Sequence, residues 1–351
     1  MPLFPPAPAR GAVPLLNSAC PWASSAEDLA ALWACPHTSA VTTRTCTLDG
    51  FADDASRHQV AFYGSGAESS ANSFGYSPHP LASYLAWLRP LLAARPSPSK
   101  QVIFSIAGTL VETAEMLSTL QAFADEFPGL TIATELNASC PNIPGHPPPA
   151  YVERELHECV ALLAAHASPT LKVGVKLPPY TYDEQFAAVV RALSAVGDAG
   201  AAEHPISFLT ATNTLGQGLV FARQISDVPA SCVAQTRAAK TASGAELALP
   251  GTGTGGLAGA AVHQLALGNI ARLALLLRGT TPASPAPATV PAPADARLRG
   301  ITLIGVGGAH DAAGVERFRR AGADAVACAT ALGREGLDVF ERMRGNAQAK
   351  L

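Results

Sequence analysis

Charge is scarce in this sequence. Asp, Glu, Lys and Arg make up 15% of its 351 residues and nearly cancel, leaving a net charge of −3. A chain so balanced offers no electrostatic case for binding nucleic acid or an anionic membrane. Long apolar runs are missing too: none reaches the roughly 18 residues that cross a bilayer. Residues Met1 to Arg10 are broken by prolines and have no basic stretch leading into an apolar one, so no signal peptide is expected. The seven cysteines (Cys20, Cys35, Cys46, Cys140, Cys159, Cys232, Cys328) are odd in number and contain no C-x-x-C pair. That spacing supports neither a disulfide framework nor a zinc site, and it suits a reducing compartment. Asn137-Ala138-Ser139 matches a glycosylation sequon, which reads as chance without a secretion signal.

Apolar residues are plentiful, at 48%, so a large core forms easily. The length suits one large α/β barrel or two smaller domains. Short apolar runs recur along the chain, near Val13–Leu16, Ala40–Thr43, Gln101–Ile106, Leu130–Leu136, Leu171–Lys176, Ile206–Thr210, Ile301–Ile304 and Ala325–Ala327. Between them lie amphipathic segments: Ala26–Ala34, His79–Ala93, Leu110–Phe127, Ala150–His166, Asp183–Val196, Val262–Leu277 and Ala312–Ala321. Their apolar residues fall three and four apart, as in Met116, Leu120, Phe123 and Phe127. Eight strands alternating with helices predict a single (β/α)8 barrel spanning residues 1–351. Thr280 to Ala296 is almost wholly Pro, Ala, Ser and Thr. It predicts a solvated loop insertion, here on the amino-terminal face of the barrel. Arg223 to Pro250 follows the sixth strand and is expected on the opposite face, as a lid or a plain insertion.

The carboxyl ends of barrel strands carry chemistry, and several ends here are polar. The apolar run Leu130 to Leu136 stops at Asn137-Ala-Ser139-Cys140-Pro-Asn142, a turn-bearing loop with a thiol between amides. Val173-Gly-Val-Lys176 ends the fifth strand in a lysine. A buried lysine is costly unless it is paired or its pKa falls. It serves either as an electrostatic partner for an electron-rich cofactor or as a Schiff-base nucleophile. Asn213 follows the sixth strand, and Asn72 follows the second. Four asparagines on converging loops suit a planar ring bearing carbonyls and N–H groups. Ile301-Thr-Leu-Ile-Gly-Val-Gly307-Gly308 and Ala325-Val-Ala-Cys-Ala329-Thr330 are consecutive strand ends suited to cradling a phosphate. Gly251-Thr-Gly-Thr-Gly-Gly256 matches G-x-G-x-x-G, but no carboxylate follows until Asp295. A dinucleotide fingerprint is therefore not expected, and these glycines are read as admitting backbone close to a ligand.

These blocks, in this order, resemble the class 1A, fumarate-linked dihydroorotate dehydrogenases, which are FMN-containing (β/α)8 barrels of pyrimidine biosynthesis. The resemblance runs from about Asn17 to Arg342. Its most specific block is Glu135-Leu-Asn137-Ala-Ser-Cys140-Pro-Asn142-Ile-Pro-Gly145, followed by Gly174-Val-Lys176-Leu-Pro-Pro-Tyr180. Phe104-Ser-Ile-Ala-Gly108, Asn72-Ser-Phe-Gly75, Asn213-Thr-Leu-Gly-Gln-Gly-Leu219 and Ile304-Gly-Val-Gly-Gly308 complete it.

The resemblance implies that Cys140 is the base removing a proton from C5 of dihydroorotate while hydride passes from C6 to flavin N5. Lys176 would stabilise the reduced flavin. Asn72, Asn137, Asn142, Asn213 and Thr214 would hold the pyrimidine, with Arg44, Phe74, Gly75 and Tyr76 shaping its pocket. The FMN contacts would be Ala19, Arg44, Thr45, Asn137, Lys176, Thr212 and Gly259, with Gly307, Gly308, Ala329 and Thr330 on the phosphate. Fumarate would then take the electrons at the same site. A cysteine base, where quinone-linked classes carry serine, implies a soluble, cytoplasmic enzyme. A homodimer is implied too, and no metal.

The chain departs from the family at Thr43-Arg44-Thr45, where T-K-S is usual, and at Phe74-Gly75-Tyr76, where Met-Gly-Leu is. Asp53-Asp-Ala-Ser-Arg57 and Asn17-Ser-Ala-Cys20 also differ, and the sequence stops soon after Arg342. The rival readings are a diverged flavoprotein acting on another cyclic amide or enoate, a Schiff-base lyase using Lys176, and a catalytically silent paralogue.

Overall fold

The fold was obtained as a computed structural model, which describes residues 2–4, 12–94, 100–142, 147–198, 200–226, 246–283 and 295–345. In chain order, the strands are β1 (Leu15–Asn17), β2 (Ala40–Thr42), β3 (Val60–Tyr63), β4 (Ser69–Asn72), β5 (Gln101–Ile106) and β6 (Ile132–Asn137). They continue with β7 (Leu171–Leu177), β8 (Ile206–Ala211), β9 (Leu215–Leu219), β10 (Thr254–Gly259), β11 (Thr302–Val306) and β12 (Ala325–Cys328). The helices are α1 (Ala26–Ala34), α2 (Leu81–Ala93), α3 (Leu110–Asp125), α4 (Glu153–His166), α5 (Asp183–Ser194), α6 (His263–Arg278), α7 (Ala312–Ala321), α8 (Thr330–Glu335) and α9 (Asp338–Arg344).

Eight strands close a parallel barrel in the order β1-β12-β11-β8-β7-β6-β5-β2, so the expected (β/α)8 barrel is present. Each of its strands overlaps an apolar run read from the sequence. The helices start where their sequences supply caps. Ser25 and Asp28 form a capping box on α1, Thr109 and Glu112 form one on α3, and Asp311 caps α7. At the amino-terminal end of the barrel, Leu3 and Phe4 pack with Leu16, Ala40, Ile103, Ala133, Phe208 and Ala325. Phe4 is tied to Thr302 by a reciprocal pair of hydrogen bonds. That end is therefore plugged by apolar side chains. Higher up, Gly174 faces Phe208, whose ring atoms would lie 2.6 Å from any added Cβ.

A second sheet was not anticipated. Antiparallel strands in the order β3-β4-β10-β9 form it. Two of its strands lie between β2 and β5 and two between β8 and α6, so both halves arise from connections at the carboxyl face, which they roof. The sequence reading also places Asn72 on a loop, whereas it ends β4. The glycines of the G-x-G-x-x-G match enter β10, where they admit protein rather than ligand. A Cβ on Gly255 would collide with the Asn72 carbonyl, and one on Gly256 with the Thr214 hydroxyl.

No unbroken apolar run reaches 18 residues, but one helix passes a looser test. Ala260–Arg278 is 19 residues long with mean hydropathy 1.4, enough by length and composition alone. Counting unbroken runs overlooks it because His263, Asn269 and Arg272 interrupt them. In the barrel, its residues Ala266, Ile270, Leu273 and Leu277 are fully buried, which is how a barrel helix passes the same test. Residues 284–294 of the low-complexity insertion and 227–245 of the segment before the glycines lie outside the described residues. So do Cys232 and residues 143–146 of the cysteine motif.

Candidate active site

Two adjoining cavities open between the carboxyl ends of the barrel strands and the roof. The one beneath Gly307 and Gly308 takes in about 540 Å³ of non-protein space and the one beneath Cys140 about 690 Å³, both open to solvent. Ala19, Lys176, Asn213, Thr214, Ala329 and Thr330 border both. Every site residue singled out from the sequence lines one cavity or the other. Thr212, Gly259, Gly307 and Gly308 lie on the first, and Arg44, Thr45, Asn72, Phe74, Gly75, Tyr76, Asn137, Cys140 and Asn142 on the second. Arg44 and Thr45, read from the resemblance as flavin contacts, thus sit on the cysteine side.

Backbone builds the first cavity. After β11 the chain turns through Gly307 (φ 133°) and Gly308 (φ 77°), conformations that favour glycine. His263 at the start of α6 pins this turn. Its Nε2 accepts from Arg317 Nε at 2.8 Å, so Nδ1 carries the proton and donates to the Gly307 carbonyl at 2.7 Å. Burial lowers the His263 pKa, in keeping with a neutral ring. Opposite, Gly259 (φ 72°) lets β10 lie against β4, where a Cβ would collide with the Glu68 carbonyl. Ser70 and Thr330 share a hydrogen bond of 2.9 Å that joins roof to barrel.

Lys176 stands on the wall common to both cavities. It is 3% exposed, and its Nζ donates to Ser18 Oγ at 2.8 Å. Asn17 positions Ser18 from below by a reciprocal pair of hydrogen bonds with Thr42. The Thr212 hydroxyl, also on the first cavity, is buried with no hydrogen-bond partner among the described residues.

Side chains build the second cavity. Asn137 ends β6 and donates to Thr45 Oγ1 at 3.0 Å, while its Oδ1 receives Asn213 Nδ2 at 3.1 Å and the Ser139 hydroxyl at 3.1 Å. Asn142 donates to the Asn72 side chain at 3.3 Å and to the Phe74 carbonyl at 2.9 Å. Arg44 stacks over Phe74 at 5.5 Å and donates to the Gly75 carbonyl at 3.3 Å. Tyr76 is set edge-on to Phe51, with ring centroids 5.7 Å apart.

Cys140 is partly exposed to the second cavity. Burial pushes its thiol pKa up. The N–H of Asn142 and the charges of Lys176 and Arg44 pull the other way. The Tyr76 phenol is pushed up by burial and further by Cys140.

The family profile for dihydroorotate dehydrogenase matches residues 22–283. This chain belongs to the dihydroorotate dehydrogenase family. It is therefore a member of a family of oxidoreductases. Among its relatives is dihydroorotate dehydrogenase (fumarate) of Saccharomyces paradoxus, 28% identical over 275 residues, or 78% of this chain and 70% of that protein. Dihydroorotate dehydrogenase A (fumarate) of Lactococcus lactis subsp. cremoris is 27% identical over 247 residues, 69% of this chain and 61% of that one. A solved dihydroorotate dehydrogenase from Eimeria tenella, in complex with ferulenol, superposes with a TM-score of 0.63 at 14% identity. That alignment covers 95% of this chain and 80% of the other, and it supports the fold alone.

Some cavity residues escaped the sequence reading. Ser18 was quoted only for the departure at Asn17-Ser-Ala-Cys20, though its position just past β1 was a legible signal. Ser139 lay inside the cysteine motif without a role. Trp22 and Val60 line the second cavity as well, and nothing in their spacing announces it.

Proposed function

We propose that this enzyme oxidises dihydroorotate to orotate, with FMN as its cofactor, Cys140 as base and fumarate as the oxidant that closes the cycle. The observation that carries the reading is the meeting of Cys140, Lys176 and four asparagines around one cavity, beside a second cavity built from glycine backbone. Family membership supports it.

The residues present fit FMN. Gly307 and Gly308 with Ala329 and Thr330 suit a phosphate, and the unpartnered Thr212 hydroxyl and the Lys176 ammonium suit the ring's polar edge. FMN, when bound, would supply a two-electron acceptor for the hydride leaving C6 of dihydroorotate and a two-electron donor for fumarate. The protein's part is proton movement and orientation. Cys140 Sγ receives the proton from C5 as the C5–C6 double bond forms. The asparagine amides orient the ring, and the roof limits water. Protonated Lys176 favours negative charge developing beside it. The names of the relatives support fumarate as acceptor. A cytoplasmic location and a homodimer are carried from the resemblance, and light scattering tests the dimer.

Anaerobic mixing tests the whole reading. The purified protein should be yellow, lose its flavin absorbance with dihydroorotate and regain it with fumarate. A colourless protein, or a flavin that dihydroorotate leaves oxidised, overturns it.

A further inference from the structure

The hydrogen bonds between Asn137 and the barrel interior form a chain whose direction can be worked out. Glu135, two residues before Asn137 on β6, is 2% exposed, and its Oε1 receives the Ser105 hydroxyl at 3.4 Å. A hydroxyl has one proton to give. With that proton on Glu135, Ser105 Oγ must accept from Thr45 Oγ1, 2.9 Å away. Thr45 has then spent its own proton and can only accept from Asn137 Nδ2 at 3.0 Å. The Asn137 carbonyl is thereby turned toward Asn213 Nδ2 and Ser139. Ser139 gives its proton to Asn137, so its Oγ accepts from Asn213 Nδ2 at 2.9 Å. Both Asn213 amide protons are then committed within the protein. Reversing Asn137 would set its NH2 against the Ser139 main-chain N–H, which donates to Asn137 Oδ1 at 3.3 Å, while the Thr214 N–H holds the Asn213 carbonyl at 2.8 Å.

We infer that Glu135 is a positioning residue: through Ser105 and Thr45 it supplies the acceptor that, with the Ser139 N–H on the carbonyl side, fixes which end of the Asn137 amide faces the substrate. The inference rests on the proposed function for the identity of that substrate. Glu135 reads no ligand itself. It decides whether Thr45 meets the Asn137 NH2 with an acceptor or with a second donor. A purely apolar residue there would free the Ser105 and Thr45 hydroxyls to reverse, and a reversed Thr45 would set its proton against the Asn137 NH2.

Two arms test this. Neutron diffraction of the deuterium-exchanged protein should place the Thr45 deuteron toward Ser105 and the Ser105 deuteron toward Glu135. A Thr45 deuteron aimed at Asn137 overturns the inference, whatever the substrate proves to be. In the kinetic arm, Glu135→Leu removes the terminal acceptor and Ser105→Ala cuts the chain more gently, should Glu135→Leu fold poorly. Each should raise KM for dihydroorotate about tenfold, the worth of one oriented hydrogen bond, with kcat changed far less and the flavin spectrum retained. Glu135→Gln keeps an acceptor and should stay within about twofold of the parent. A parental KM in both breaking variants, or a Gln variant as impaired as the Leu one, overturns the inference. Failure of the parent to reduce its flavin with dihydroorotate sinks the functional reading instead, and the neutron result alone then decides the polarity.

Discussion

The two cavities share a wall and are built on opposite principles. The one beneath Gly307 relies on main chain: glycines in left-handed conformations, a helix start and a neutral histidine clamping a carbonyl. The one beneath Cys140 relies on side chains that hold one another, amide to amide and hydroxyl to amide. Backbone geometry tolerates most substitution at neighbouring positions but not a Cβ at the glycines. A network of side chains can be retuned one residue at a time. The departures from the family pattern at Arg44, Phe74 and Tyr76 all fall on the second cavity. The lining of the Cys140 cavity can therefore change while the glycine-built cavity stays as it is.

The sharpest break in that comparison is Cys140→Ala. It should slow flavin reduction by dihydroorotate about 10²- to 10⁴-fold, the usual worth of a positioned base, while stopped-flow absorbance shows the flavin still bound. Loss of flavin in this variant would mean that the two cavities are not separable.

The pH profile comes next. Burial holds the Cys140 pKa above the ordinary thiol value, despite the opposing pull of Asn142, Lys176 and Arg44. A base works deprotonated. The reduction rate constant should therefore climb through neutral pH, about tenfold per unit where this thiol titrates, and level off only above the ordinary thiol range. A plateau already reached at neutral pH contradicts the assignment.

Gly259→Ala probes the other side. Gly259 (φ 72°, ψ −145°) holds a backbone conformation used almost only by glycine, costing an alanine about 1–3 kcal/mol, and its Cβ meets the Glu68 carbonyl as well. Lower flavin content and a lower melting temperature are expected, with an unchanged KM for dihydroorotate in whatever fraction holds flavin. Arg44→Lys should have the smallest effect. It gives up the planar stack on Phe74, worth about 0.5–1 kcal/mol, and should change KM a few-fold with flavin content constant. An equal loss of flavin would move Arg44 to the cofactor end, where the resemblance also placed it.

The barrel was legible because its strands are largely apolar runs, such as Val102 to Ile106 and Leu171 to Val175, each broken by one polar residue and separated by helices of regular spacing. The roof was not. Ser69-Ser-Ala-Asn72, Leu215-Gly-Gln-Gly-Leu219 and Thr254-Gly-Gly-Leu-Ala-Gly259 are short and rich in serine and glycine, without the alternation that marks a strand. Their pairing, as of Gly256 with Asn72, is set by distant parts of the chain. At the site, residue types and strand ends were enough to find the cysteine, the lysine and the asparagines. Which atoms donate and which accept was not legible, because that depends on contacts such as Thr45 with Ser105 that join separate strands.

The amide arrangement has a consequence for anyone seeking to block this enzyme. Asn142 directs its NH2 at the Asn72 side chain and the Phe74 carbonyl, and Asn213 directs its NH2 at Asn137 and Ser139. Neither has a proton to spare for a visitor. A tight inhibitor should present N–H groups to these two carbonyls and keep its own oxygens for Asn137. An analogue with that pattern inverted, though identical in shape, would bind an enzyme whose groups all point the wrong way.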